Sequence, residues 1–339
     1  MEEVHQKCED LLLYCTFNNK KKNCNEIFNL IKTTEGHCCA FNYAALNDGN
    51  IDEISSDEDI EYYIDPSSNL KSSGIFVTSE SGRGSGLSVV FTVEPNDYPK
   101  WSLTPYNGAK ILLSDPTDYP EVTVLYKYLV IGQSLDIKVE LKIFQSDDSI
   151  RVIPLKKRNC VFHGEFSLQH TDRFSSETCK TECKMKNYVE KCGCVPYKYP
   201  KDKASRICDF EDLKCLYNLR AYTIDWETEC TPVCYIECQD KRYSITSDVM
   251  PLLPDFYPTN VTNGRNVSEL SALQVYFAKS TCNCFNNMLL IDFNYFIATY
   301  GGVFSLSFGV SILTLFEGIY LLMSYLIQMF WSNATSTSK

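Results

Sequence analysis

The sequence predicts an α+β membrane protein: a disulfide-rich ectodomain followed by one C-terminal transmembrane helix. Three observations carry this. From Phe293 through Phe316 no residue is charged, a single Glu317 follows, and a second uncharged stretch runs to Ser332; about 20 apolar residues suffice to cross a bilayer as a helix. Of 17 cysteines, ten lie between Cys160 and Cys238, a density that suits an oxidising compartment. Between these features, β-type alternation gives way to helix-type runs and back again.

The elements follow in chain order. Short helix-like stretches are expected at Glu9–Leu13 and Asn25–Ile31. An acidic run from Asp48 to Asp65 reads as a solvated loop. Ser81-Gly-Arg-Gly-Ser-Gly86 also reads as a loop, because it lacks the Gly-Lys-Ser/Thr ending of a phosphate cradle and precedes a strand. Strands are expected at Leu87–Val93, Ala109–Leu113, Val122–Tyr128 and Leu135–Phe144, divided by Pro, Gly and Asp. A helix is expected over Ser175–Lys191, with Ser176 ahead of Glu177 as its start and Gly193 as its stop. Pro196, Pro200 and Lys201-Asp-Lys203 mark a loop, and Phe210 to Trp226 is a second helix candidate. Lys241–Ser247 and Leu273–Ala278 read as strands, the latter leading into the span.

Composition excludes several functions. The net charge is -11, against the basic patches that nucleic acid requires. The only histidines are His5, His37, His163 and His170, and none sits in a triad, zinc or nucleophile-elbow motif; no metal site and no catalytic residue is expected. Two sequons, Asn260-Val-Thr262 and Asn266-Val-Ser268, agree with passage through the lumen. A third, Asn333-Ala-Thr335, lies past the span and is expected to stay unmodified. Met1 to Cys8 offers neither a basic n-region nor an apolar h-region. A first transmembrane helix is therefore expected upstream of this sequence, with both termini inside the cell.

The spacing of the cysteines suggests a ladder. Cys179 and Cys183 lie one helical turn apart on one face. Cys230, Cys234 and Cys238 are also spaced by four, so two antiparallel rows can be cross-linked rung by rung into a rigid rod.

Several motifs occur in a fixed order: Cys15-x8-Cys24, then Thr34-Glu-Gly-His-Cys-Cys-Ala-Phe-Asn42, Gly86-Leu-Ser-Val-Val, and Arg158-Asn-Cys-Val-Phe-His-Gly-Glu165. Tyr188-Val-Glu-Lys-Cys-Gly-Cys-Val-Pro-Tyr197 and Gly301-Gly-Val-Phe-Ser-Leu-Ser-Phe-Gly-Val-Ser-Ile-Leu-Thr-Leu-Phe-Glu317 follow. Together they resemble the degenerin/epithelial (amiloride-sensitive) sodium channel family, most closely its insect pickpocket-like branch, over nearly the whole chain. The resemblance implies a finger-like region with an acidic loop (1–85), β-ball and palm strands (86–159), and a disulfide-laddered thumb (160–238). Palm strands and wrist (239–290), a pore-lining transmembrane helix (291–328) and a cytosolic tail (329–339) complete it.

The resemblance further implies a homo- or heterotrimer with other channel subunits in the plasma membrane, embedded in lipid. The ectodomain would face outward, toward an extracellular ligand of unknown kind, and the C-terminus would be cytosolic. No cofactor is implied, only permeant Na+. Gly309, Val310 and Ser311 would form the selectivity filter, Glu317 a ring of pore carboxylates, and Ala298 the gating position where only small side chains are tolerated. Glycosylation would fall on Asn260 and Asn266. The implied disulfides are Cys160 with Cys238, Cys179 with Cys234, Cys183 with Cys230, Cys192 with Cys215, Cys194 with Cys208, and Cys15 with Cys24. Cys38 matches a family cysteine whose partner follows the first span. A Cys8–Cys39 bond is one option, and Cys282 and Cys284 match no family pair. The alternative reading is a non-conducting single-span receptor or modulatory subunit. For Gly301, Gly302, Gly309 and Ser311 the plainer reading is close helix packing in lipid.

Overall fold

A computed structural model describes residues 6–44, 60–61, 75–95, 106–121, 124–171, 174–200, 205–221, 230, 233–291, 293–309 and 311–336. The acidic run from Asp48 to Asp65 lies outside these residues, except Ile60 and Glu61. The chain divides into two compact units, one of residues 1–146 and 153–287, the other of residues 147–152 and 288–339.

The first unit is mixed α/β and disulfide-rich. One helical turn, α1 (Cys8–Leu11), leads into strand β1 (Leu12–Phe17), which turns tightly into β2 (Lys20–Lys22). Asn18 and Asn19 make that two-residue turn at φ 50° and 60°, the left-handed pair that matches strand twist. A second turn, α2 (Cys24–Ile27), is followed by the hairpin β3 (Phe28–Thr33) and β4 (Gly36–Phe41). The helix-like expectations at Glu9–Leu13 and Asn25–Ile31 are thus corrected to single turns.

Next come β5 (Ile60–Glu61), β6 (Ile75–Phe76), β7 (Leu87–Thr92), β8 (Gly108–Leu113), β9 (Leu125–Val130) and the long β10 (Gln133–Ser146). After α3 (Leu155–Arg158) and β11 (Cys160–Val161) the chain turns helical in α4 (Ser176–Cys192) and α5 (Leu213–Ala221). It returns to strand in β12 (Ile236–Glu237), β13 (Asp240–Pro251), β14 (Leu270–Phe277) and β15 (Asn283–Asn287). Of the expected second helix, Phe210 to Trp226, the described residues form α5 from Leu213 to Ala221, and residues 222–226 lie outside them.

One sheet organises the unit, in the order β13-β10-β14-β7-β1-β2, with β15 continuing alongside β10. β10 runs antiparallel to β13 and parallel to β14 and β15. The sheet and its neighbours bury Leu12, Phe17, Leu87, Val89, Phe91, Leu135, Ile137 and Leu273 in one core. Gly86 shows why the glycine-rich run is a loop. It sits at φ +77°, and a Cβ there would lie 2.4 Å from the Val275 carbonyl oxygen on β14. Its N–H donates to Asn18 Oδ1 at 3.1 Å. Arg83 of the same run pairs with the buried Asp136 carboxylate on β10 at 3.0 Å.

α4 starts and stops on readable chemistry. Ser175 is the N-cap, accepting from the Thr178 N–H, and Gly193 closes the other end in the left-handed conformation with its N–H on the Val189 carbonyl. The face carrying Thr178, Cys179, Thr181 and Met185 is buried.

The second unit holds two helices, a leading one (Phe293–Phe308) and a trailing one (Ile312–Ser336). Within the trailing helix, Ile312–Met329 is long and apolar enough to cross a membrane, rising about 27 Å at 1.5 Å per residue. Within the 291–328 segment, Gly309 and Ser311 lie outside helical geometry, between the end of the leading helix at Phe308 and the start of the trailing one at Ile312.

Candidate pore segment and disulfide ladder

The break in the C-terminal unit is built by local chemistry. Gly309 closes the leading helix with its N–H on Ser305 O at 2.9 Å and adopts φ +65°, a conformation that penalises any residue with a Cβ. Two residues on, Ser311 opens the trailing helix through a reciprocal cap. Its Oγ accepts from Thr314 N–H at 3.3 Å, and its own N–H donates to Thr314 Oγ1 at 2.8 Å. Its carbonyl takes Thr314 Oγ1–H at 2.7 Å and Leu315 N–H at 3.2 Å. This is the capping box with Thr in place of the acidic residue. The Ser-x-x-Thr spacing was present in the sequence, and Thr314 is the residue that sequence reasoning passed over. Val310 lies outside the described residues.

Ala298 is exposed on the leading helix, 11 residues ahead of Gly309, or about 16 Å along the axis. Glu317 is exposed on the trailing helix, six residues beyond Ser311, or about 9 Å. Gly301 and Gly302 have open space where a Cβ would stand.

Seven disulfides cross-link the first unit. Cys8 bonds Cys39 and Cys15 bonds Cys24. Cys160 bonds Cys238, Cys179 bonds Cys234 and Cys183 bonds Cys230. The last two rungs tie one face of α4 to a chain running the other way. Cys192–Cys215 and Cys194–Cys208 fasten the far end of α4 to α5 and its approach. Cys38, Cys282 and Cys284 are free thiols. Asn260 and Asn266 are both exposed. Among the described residues, one set of three potential metal-ligating groups converges: Cys194, Cys208 and Asp212. Its two sulfurs are bonded to each other, and Asp212 accepts two hydrogen bonds from Arg206 at 2.7 Å.

A carboxylate sits inside the ladder. Glu237, between Cys234 and Cys238, accepts from the Ser176 N–H at the start of α4 at 3.0 Å. Burial pushes its carboxyl up to about 7, with Asp118 and Asp240 adding to the effect and the Ser176 N–H opposing it. The folded state therefore holds this proton more tightly than the unfolded chain, whose carboxyl titrates near 4.5. The stabilisation is full below about pH 4.5 and is lost as pH rises through about 7, a fall on the order of 3 kcal/mol from this group. Thermal unfolding at pH 5 and pH 8 is expected to show the lower Tm at pH 8, and Glu237→Gln to reduce that difference. An unchanged difference in the variant would assign the pH effect elsewhere.

Comparison with known proteins agrees with this architecture. The model of the amiloride-sensitive sodium channel family matches residues 1–321. The sodium channel protein Nach of Drosophila melanogaster is 25% identical over 94% of this chain and 59% of its own length. Pickpocket protein 28 of the same fly is 27% identical over 93% of this chain and 56% of its own length. The epithelial sodium channel beta subunit of Neoceratodus forsteri is 20% identical over 93% of this chain and 46% of its own length. The chain thus spans about half the length of these relatives. They are ion channels and not enzymes. With seven disulfides, a candidate membrane span and a family match over nearly its full length, the chain belongs to the amiloride-sensitive sodium channel family, among its insect pickpocket-like members.

Proposed function

We propose that this chain is one subunit of a trimeric channel that passes Na+ down its gradient across the plasma membrane. The disulfide-rich unit stands outside the cell, and the C-terminus is cytosolic. The observation that carries the reading is the break at Gly309–Ser311. The end of a helix leaves up to four carbonyls without partners inside that helix. At membrane depth such backbone is tolerated only where it meets protein or lines water. A plain anchor would avoid the break; a pore wall uses it.

Three copies of this segment around one axis place Gly309, Val310 and Ser311 at the narrowest point. Ser311 holds the break through its cap with Thr314. The carbonyls ahead of it replace part of the hydration shell of the ion. Three Glu317 carboxylates, about 9 Å further along the helix, raise the local cation concentration. The ladder of residues 160–238 serves as a rigid arm for transmitting an extracellular ligand's binding toward the span.

The test is single-channel recording of the full-length protein with and without Glu317→Gln. A conductance lowered several-fold at low ionic strength, and less at high salt, is the expected result. Equal conductances would remove Glu317 from the pore. A protein that reaches the surface, carries no current and alters the current of a co-expressed channel would favour the modulatory-subunit reading.

A further inference from the structure

All 17 cysteines are accounted for: 14 in seven disulfides, and Cys38, Cys282 and Cys284 free. The three free thiols differ in setting. Cys38 is half-buried on β4, its sulfur 3.4 Å from Thr33 Oγ1, and burial raises its pKa; the resemblance reserves it for a cysteine after the first span. Cys282 and Cys284 are exposed. Cys284 lies on β15, in register with Ile143 of β10, with its sulfur 3.7 Å from Gln145 Oε1. Cys282 immediately precedes the strand. The other edge of β15 pairs with no strand among the described residues, so backbone and thiols are both accessible from that side.

In an oxidising compartment, exposed thiols left over from the internal disulfides are candidates for pairing between chains. The two are poorly placed to bond each other. Residues two apart on extended chain are about 6.6 Å apart with Cβ atoms pointing the same way, whereas a disulfide brings its Cβ atoms to about 4 Å. Two non-equivalent thiols on one edge have a property that one thiol lacks. A single cysteine can join only two copies, whereas a Cys-x-Cys pair can join each copy head to tail to the next, and such heterologous contacts make a ring where the rotation between copies closes.

We propose that Cys282 of one subunit is disulfide-bonded to Cys284 of the next, so that the channel ring is covalently closed at β15, just ahead of the pore segment. This rests on the trimeric reading above. Three copies form three S–S bonds. Six thiol protons and six electrons leave, accepted by three exchange-active disulfides of the oxidising lumen, of the protein-disulfide or glutathione-disulfide class, which are reduced to dithiols.

The test uses full-length protein in cell membranes, with thiols blocked by N-ethylmaleimide before lysis. Half of each sample is first treated with an amine-reactive cross-linker to count subunits. Without reductant the untreated protein is expected to run at three times the monomer mass, and with reductant as monomer. Cys282→Ser or Cys284→Ser alone should give at most dimers, and the double variant only monomers. The amine cross-linker should still count the full ring in every variant, which shows that the variants fold and assemble. Monomers without reductant, with both thiols free or capped by glutathione, would overturn the proposal while leaving a cross-linked trimer intact. If the cross-linker instead counts a ring of another size, the trimeric reading falls; the covalent ring survives only if unreduced protein runs at that same size.

Discussion

Lys184→Met is expected to destabilise the ectodomain by about 3–5 kcal/mol, the usual cost of stripping one partner from a buried ion pair. Glu121 is 1% exposed at its side chain, and Lys184 Nζ lies 2.6 Å from its Oε1. The neighbouring contact, Thr181 Oγ1 at 3.5 Å, is too long to replace a charge, and Thr181 already donates to the Glu177 carbonyl at 3.0 Å. The pair also holds the segment before β9 against α4. Tyr119 N–H donates to Thr178 Oγ1 at 3.3 Å, and Tyr119 OH donates to the Lys198 carbonyl at 2.7 Å. Losing Lys184 leaves a carboxylate that is buried without the charge that offsets its desolvation. Denaturant unfolding measures the loss. The double variant Glu121→Gln, Lys184→Met should recover part of it, since no charge is then stranded. A single-variant loss below about 1 kcal/mol would mean that the carboxylate is solvated after all.

That pair also marks where reading from sequence stops. Glu121 and Lys184 are 63 residues apart, and nothing local in either segment says that they meet. What is local reads well. Gly193 ends α4 because it alone takes the left-handed cap without strain, and the start falls at Ser175, one residue before the expected Ser176. β13 shows period-two alternation because one of its faces lies on the core, whereas β10, central in the sheet, alternates in sequence but buries Ser134 and Asp136 along with Leu135 and Ile137. β15 shows no alternation: Asn283-Cys-Phe-Asn-Asn287 has all five residues exposed, and its partner is β10, through the parallel ladder and the stacking of Phe285 on Phe144 at 5.1 Å. The β3–β4 hairpin is missed for another reason. Its first residues follow a real helical turn at Cys24–Ile27, and a run of Asn, Glu and Ile does not announce the switch to strand. In the C-terminal unit, Gly309 is legible as a break, since a glycine between two apolar helical runs invites one. The cap that fixes where the second helix restarts needed Thr314 as well as Ser311.

Ala298→Trp is expected to have the largest functional effect, a resting current raised at least tenfold by the loss of the closed state. Ala298 sits on the leading helix, 11 residues ahead of the break, among large side chains. Phe296 and Tyr300 make a tilted ring contact at 4.3 Å between centroids, and Tyr295, Phe296, Ile297 and Tyr300 are all exposed within this unit. In the proposed trimer, three helices can approach one another closely only where small residues face the axis, and Ala298 leads a run of them with Gly301 and Gly302 one turn further on. Overpacking a tight contact costs about 1–3 kcal/mol per site, and the symmetric closed state meets it three times. Even a total of about 3 kcal/mol, borne by the closed state alone, shifts the closed–open equilibrium by about 150-fold. Ala298→Gly, which removes bulk, should keep the channel closed at rest, so size and not the mere loss of alanine is what is tested. Patch recordings of both variants decide it: a tryptophan channel that stays shut would place Ala298 away from the axis, facing lipid.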